Sequence, residues 1–216
     1  MKLPSDTELT ETGLAPAGAA RLLVLACGAL AHEILAVIRA NGFEHIDLQC
    51  LPAILHNHPE RITPAVRGAV AAARADGYDR IFVAYADCGT AGDLKKAAAE
   101  LDVEMMPGPH CYAFFEGTEG FLDRAGDEFA AFYLTDFLVR QFDAFVIRPL
   151  GLDRHPELRD AYFGNYEKLV YQAQTNNPDL TRKARECADR LGLAFEHRVT
   201  GYGDLQSALT DFGTGG

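Results

Sequence analysis

Three short apolar runs, RLLVLACG, HIDLQCLP and YDRIFVAYADCG, are each followed by a segment whose apolar residues recur at helical spacing. That alternation restricts the chain to few folds. A continuous apolar run suits a strand buried on both faces, and strands separated by helices of this length pair in parallel. The spacing predicts strands near 21–27, 46–51, 80–86, 103–106 and 193–199. The expected fold class is α/β: a mainly parallel sheet of four or five strands, helices on both faces and a helix-rich C-terminal half.

The first helix, ALAHEILAVIRANG, closes on Asn41-Gly42, and Pro59 and Pro64 introduce a second that ends at Gly77. Pro and Gly at those ends are ordinary start and stop signals. GDLKKAAAELD reads as a third helix and VEMMPG as a short fourth strand. Past Pro109 the alternation stops. EFAAFYLTDFLVRQFDAFVIRPL, GLDRHPELRDAYFGNYEKLVYQAQ and PDLTRKARECADRLGL all read as helical, followed by the strand-like AFEHRVTGYG and the short helix DLQSALTDF. Residues 1–19 are expected to form a flexible lead-in, and residues 20–216 a single α/β domain.

At 216 residues the chain can bury a real core, and no apolar run has the length of a membrane span. The N-terminus lacks a basic start followed by an apolar stretch, so no signal peptide is expected and the expected location is cytoplasmic. The net charge of -11, with Lys and Arg forming no continuous stripe, argues against nucleic acid or an anionic membrane as partner. Five cysteines are an odd number, and without a secretory signal they point to metal or catalytic use more than to disulfides.

Cys27, Cys88 and Cys111 each follow a strand-like run, in ACGALAHE, ADCGTAGD and PGPHCYAFFEG. Loops after parallel strands gather at one sheet edge, where ligands bind. Three thiols would therefore meet there, with His110 beside Cys111 and His56 and His58 in LHNHPER. Thiolates and imidazoles are ligands for zinc, and thiolates for iron–sulfur clusters. The expected metal set is Cys27, Cys88, Cys111, His110 and His56, holding Zn2+ or a [4Fe–4S] cluster. A single Cys after a strand is as often a small buried residue. Expected catalytic groups are Cys88, His110 and Glu33. Cys88 is the foremost thiolate candidate, since a helix N-terminus beside it would lower its pKa. Gly28, Gly89, Thr90 and Tyr112 are expected to contact a bound group. Cys187 reads as a buried helix residue, and Cys50 is ambiguous. Among later polar and aromatic residues, Glu116, Tyr133, Asp136, Tyr162, Asn165, Tyr166 and Tyr202 read mostly as core-edge packing.

On ACGALAHE, LPAILHNHPERI, YADCGTAGDL, PGPHCYAFFEG and RHPEL…YFGNYEKLVY…TGYGDL, the chain resembles an uncharacterised bacterial and archaeal family known only as a domain of unknown function. The likeness spans roughly Arg21 to Leu205. Its members are often encoded near corrinoid-dependent methyltransferases of the trimethylamine or glycine-betaine type. The resemblance thus implies a role in one-carbon or methylated-amine metabolism, with a small-molecule substrate and a corrinoid methyltransferase as possible partner. A looser architectural likeness is to quinolinate synthase, whose α/β units each donate one cysteine to a [4Fe–4S] cluster. Three functions follow: a metalloprotein, a metal-free enzyme with Cys88 as nucleophile and His110 or His56 as base, or a non-enzymatic module binding a corrinoid, a methyl carrier or a methyltransferase.

Overall fold

The computed structural model describes residues 3–18, 20–126 and 128–215. The chain falls into two compact units, one made of Met1–Phe114 and Asp204–Gly216, the other of Phe115–Gly203. Each carries its own all-parallel sheet. The sequence reading has one domain from 20 to 216 with five strands at most.

The first unit contains β1 (Leu22–Cys27), β2 (Ile46–Leu51), β3 (Arg80–Ala84) and β4 (Glu104–Met105), ordered β2-β1-β3-β4. Leu23, Val24, Leu25 and Ala26 of β1 are wholly buried, as a central strand covered on both faces requires. Its helices are α1 (Asp6–Glu11), α2 (Ala31–Asn41), α3 (Ile62–Ala75) and α4 (Asp93–Glu100). Short α5 (Ala113–Glu116) crosses the division between the units. Gly42 ends α2 at φ 64°, a conformation that glycine takes without strain.

The described part of the expected lead-in is folded onto this unit. Ser5 and Glu8 close a reciprocal capping box on α1, and Leu9 is wholly buried. Leu14 exchanges two backbone hydrogen bonds of 2.8 Å with Cys50, capping the outer edge of β2.

The second unit holds α6 (Thr118–Ala125), β5 (Ala131–Thr135), α7 (Asp136–Arg140), α8 (Arg159–Phe163), β6 (Lys168–Ala173), α9 (Pro178–Leu191) and β7 (Ala194–Val199). Its strand order is β5-β6-β7. The helical reading of 128–150 and of 151–174 is corrected here. Ala131–Thr135 and Lys168–Ala173 are strands, because each run is short and lies beside a parallel partner. Thr135 ends the first and caps α7, accepting a hydrogen bond from the Leu138 amide. The expected helix from Pro178 to Gly192 is α9, with Asn177 as cap and Gly192 at φ 70°. The last helix, α10 (Gly203–Thr214), returns to the first unit, where Phe212 stacks on Phe82 of β3 at 5.3 Å. Among the described residues no helix is long and apolar enough to cross a membrane.

Candidate functional site: a thiol pair at a strand switch point

In the order β2-β1-β3-β4 the chain leaves β1 towards one side of the sheet and leaves β3 towards the other. The two connections diverge and leave a crevice beyond the ends of β1 and β3, the usual ligand position in open α/β sheets. Cys27 is the last residue of β1, and Cys88 lies four residues past the end of β3. The loop after β3 runs beside the loop after β4: Asp87 and Cys88 donate their amides to the carbonyls of Gly108 and Pro109 at 3.0 and 2.9 Å. This pairing carries Cys111 to Cys88, and the two sulfurs stand 3.1 Å apart. The Ala86 amide points at the Cys111 sulfur from 3.5 Å.

The contact moves the two thiols in opposite directions. A hydrogen bond from Cys111 lowers the pKa of Cys88, outweighing the cost of burial, and the backbone amides of Cys111 and Ala86 add to it. Cys111 is raised well above its ordinary value, first by that hydrogen bond to Cys88 and then by burial. The pair therefore ionises at Cys88, with Cys111 as the thiol donor. Cys27 is pushed up to about 12, chiefly by burial, and its thiol feels the charge on Cys88.

The source of the Cys88 shift differs from the sequence expectation. Helix α4 begins at Asp93, so Cys88 is not at its N-terminus. Nor is the loop's nest of amides open to an anion. The Asp87 carboxylate fills it, accepting from Thr90 Oγ1 at 2.9 Å, Ala91 N at 3.2 Å and Gly92 N at 2.6 Å. Burial opposes the ionisation of Asp87, but those hydrogen bonds prevail and its pKa is lowered. Thr90 and Gly89 thus serve the loop's own carboxylate rather than an external group.

The loop carries left-handed backbone at Cys88 (φ 47°) and Ala91 (φ 54°) as well as at Gly89 and Gly92. For a residue with a Cβ this costs about 1–2 kcal/mol. Such strain concentrates at working sites.

His110 adjoins Cys111 in the loop after β4, and His56 lies in the segment after β2. His110 stacks on Tyr112 with ring centroids 4.9 Å apart. Burial lowers its pKa, against the pull of Asp87. His56 is exposed at the surface, and its pKa is lowered by the surrounding protein and by His110. His58 is half exposed and lies 3.7 Å from Glu60. Pro59 closes over Gly89, where an added Cβ would meet the proline ring at 3.2 Å. His32 pairs with Asp6 at 3.0 Å, tying α2 to α1.

Other expected residues lie further from the pair. Gly28 sits under α1, where a Cβ would come within 2.3 Å of the Leu9 carbonyl oxygen; its smallness serves helix packing. Glu33 is buried in α2 and acts on Cys50, whose pKa is raised well above normal by burial, Cys27 and Glu33. Cys187 is buried in α9 and pushed up to about 11 by burial. All five cysteines are free. Among the described residues no three Cys, His, Asp or Glu side chains are grouped so as to hold a metal ion. The structure assembles a pair of thiols with a third nearby.

One residue was missing from the sequence reading. Tyr85 is 2% exposed, and its hydroxyl has no hydrogen bond of normal geometry. Leaving such a group unmatched costs about 1–3 kcal/mol. The thiols of Cys27, Cys111 and Cys50 raise its pKa further, after burial. In the sequence it is one more aromatic in an apolar run, and nothing there marks it.

The later polar residues build the second unit. Arg198 of β7 donates to Glu116 at 2.9 and 3.1 Å and to Glu128 at 2.9 Å, and also pairs with Glu196. Lys168 bridges Glu128 and Glu196, Gln172 donates to Glu116, and Tyr133 donates to Glu128. Asp136 accepts from Tyr171 and from the amides of Gln174 and Thr175. Tyr166 packs with Phe132 and Phe163, Tyr162 and Asn165 are exposed, and Tyr202 is half-buried.

No curated protein and no solved structure matches this chain. A family profile matches residues 50–209, a span that holds Cys88, Cys111, His56, His110 and Tyr85 and begins after Cys27. On that match over most of its length, the chain belongs to the family described as "Protein of unknown function (DUF1638)".

Proposed function

We propose that the chain works through a Cys88 thiolate, held as a thiol–thiolate pair with Cys111 at the strand ends of the first sheet. The 3.1 Å contact between the sulfurs carries this reading. The thiolate is the reactive form of cysteine, and a neighbouring thiol that donates to it keeps it ionised nearer neutral pH. Towards a disulfide, Cys88 displaces one half of the substrate as a thiol, and Cys111 then attacks Cys88. A Cys88–Cys111 disulfide forms, and the substrate's two sulfurs take up the two electrons. His110 or His56 can accept the proton of Cys111.

The second reading is the expected metal site for Zn2+ or a [4Fe–4S] cluster, with Cys27 as third thiol and His110 or His56 completing it. Cys27 favours it, since it stands close enough to both Cys111 and Cys50 to oppose their ionisation. Two thiolates on one zinc, each about 2.3 Å from the metal, stand roughly 3.8 Å apart. The pair would have to open to take an ion. This is why the dithiol comes first.

The resemblance noted from the sequence supports a setting in one-carbon or methylated-amine metabolism, with a small-molecule substrate and a corrinoid methyltransferase as partner. Anaerobic purification, elemental analysis and peptide-resolved modification by iodoacetamide test these readings together. The dithiol reading expects Cys88 to react at least about tenfold faster than Cys187 in metal-free protein. Stoichiometric zinc or iron, lost in Cys88→Ala, would transfer the site to the metal reading. No metal and a slow Cys88 would end both.

A further inference from the structure

Of the outer strand edges in the two sheets, that of β2 is capped by Leu14, and β4 has only two residues. β5 has no exposed residue. The outer edge of β7 is different. This strand pairs with β6 over six residues and with no other strand among the described residues. Ala194 and Thr200 donate their amides inward, to the carbonyls of Glu167 and Ala173 at 3.1 and 3.0 Å. Alternate residues of a strand turn their backbone groups the opposite way, so Phe195, His197 and Val199 present theirs outward. His197 and Val199 are exposed, Val199 to 66%. Proline, lysine and bulges are the usual guards of an open edge, and Ala194–Val199 has none of them.

The strand, AFEHRV, is complementary to its own reverse. Two copies that meet edge to edge and antiparallel share a two-fold axis, so residue i faces j and j faces i. An axis at Glu196 or at Arg198 sets like charges directly opposite, which is unfavourable. An axis at His197 sets Glu196 opposite Arg198 on both sides and Phe195 opposite Val199. In that register the outward amides and carbonyls of Phe195, His197 and Val199 meet their counterparts. The Glu–Arg pairs fall at the closely spaced positions between them. The Glu196 side chain is still 36% exposed beside its own Lys168 and Arg198, and so open to a second guanidinium. His197 lies flat on Tyr171 with ring centroids 5.4 Å apart, which holds its ring to one face and keeps the edge clear. We propose that β7 is a dimer contact: two copies of the chain join antiparallel about an axis at His197, and three strands from each form one continuous sheet.

Sedimentation of the whole chain at micromolar concentration should give twice the chain mass. A monomer would leave the edge to a strand of some other protein and overturns the inference. The register is tested by single cysteine variants treated with diamide, which takes up two hydrogens as a disulfide forms. His197→Cys places two thiols opposite one another, with Cα atoms about 5.5 Å apart and within disulfide reach. In Phe195→Cys and in Val199→Cys the introduced thiols of the two copies lie about 14 Å apart along the strands, out of reach. Non-reducing gels should show at least about tenfold more linked dimer for His197→Cys than for either neighbour or the wild type. Equal linking at the three positions, or more at Phe195→Cys or Val199→Cys, overturns the inference.

His197→Pro removes an outward amide at the axis and leaves the inward ladder to β6 in place. It should sediment as a monomer with the circular dichroism of the wild type. A folded proline variant that stays dimeric overturns the inference as well. If the proline unfolds the chain, the cysteine variants decide alone.

Discussion

Cys88 occupies a backbone conformation that costs a residue with a Cβ about 1–2 kcal/mol, at φ 47° in a loop where Gly89 follows it. The same loop brings its sulfur to Cys111, whose thiol donates to it. Removing that donor should be visible at Cys88 alone. In Cys111→Ala, iodoacetamide modification of Cys88 near neutral pH should slow about three- to tenfold. Cys187→Ala should leave Cys88 untouched and lower stability by about 1 kcal/mol, the usual consequence of trimming a buried side chain. Mass spectrometry of the digests and urea unfolding check both. At this scale the sequence showed which residue types would gather, because a thiol at a strand end is a local pattern. It did not show their partners. The proton on Cys88 is governed by Cys111, 23 positions away, and the anion nest by the carboxylate of Asp87. Both depend on side-chain directions that spacing does not encode.

Among the elements, β1, β2, β3 and β7 were legible within a residue or two, since each is an isolated run closed by a turn or a glycine. β5 and β6 were not. Their residues, AFYLT and KLVYQA, lie in stretches whose aromatic and aliphatic residues also fit a helical period. A five- or six-residue apolar run is ambiguous until its partner strand is known. Helix α1 was hidden for a different reason, its short polar composition. Its place depends on Gly28, whose missing Cβ leaves room for the Leu9 carbonyl. Gly28→Ala puts a carbon 2.3 Å from that oxygen. It should therefore detach α1 and expose Leu9. The expected result is a melting temperature lower by several degrees and faster amide exchange over Asp6–Glu11, with β3 and β4 still protected. Unchanged exchange there would show that α1 is held by other contacts.

Over the whole molecule the net charge of -11 conceals a second unit bound by its own ion pairs. The Arg198 guanidinium, with Tyr133 and Lys168, holds the Glu128 carboxyl down at about 2, against an ordinary 4.5. A depressed carboxylate pKa stabilises the folded state above the unfolded value and loses that contribution as pH falls through the folded one. The urea midpoint should thus decline between about pH 4.5 and pH 2, and Glu128→Gln should flatten that part of the profile. A decline of equal size in the variant would assign the acid sensitivity to other groups. No Pro-, Gly- or Ser-rich linker in the sequence marks either crossing between the two compact units. The first unit is also discontinuous: Phe115–Gly203 lies between its two parts, and Phe212 and Gly213 meet Phe82 and the ring of His45 from the far end of the chain. A ribosome releases that last segment only after the intervening residues, on the order of 5–20 s after Phe114 at ordinary elongation rates. Throughout that interval the thiol-bearing sheet lacks the aromatic face that Phe212 lays over Phe82. The nascent chain therefore spends seconds with its strand-end thiols made and their supporting layer still unsynthesised, a window in which chaperones meet a sheet face that the finished protein covers.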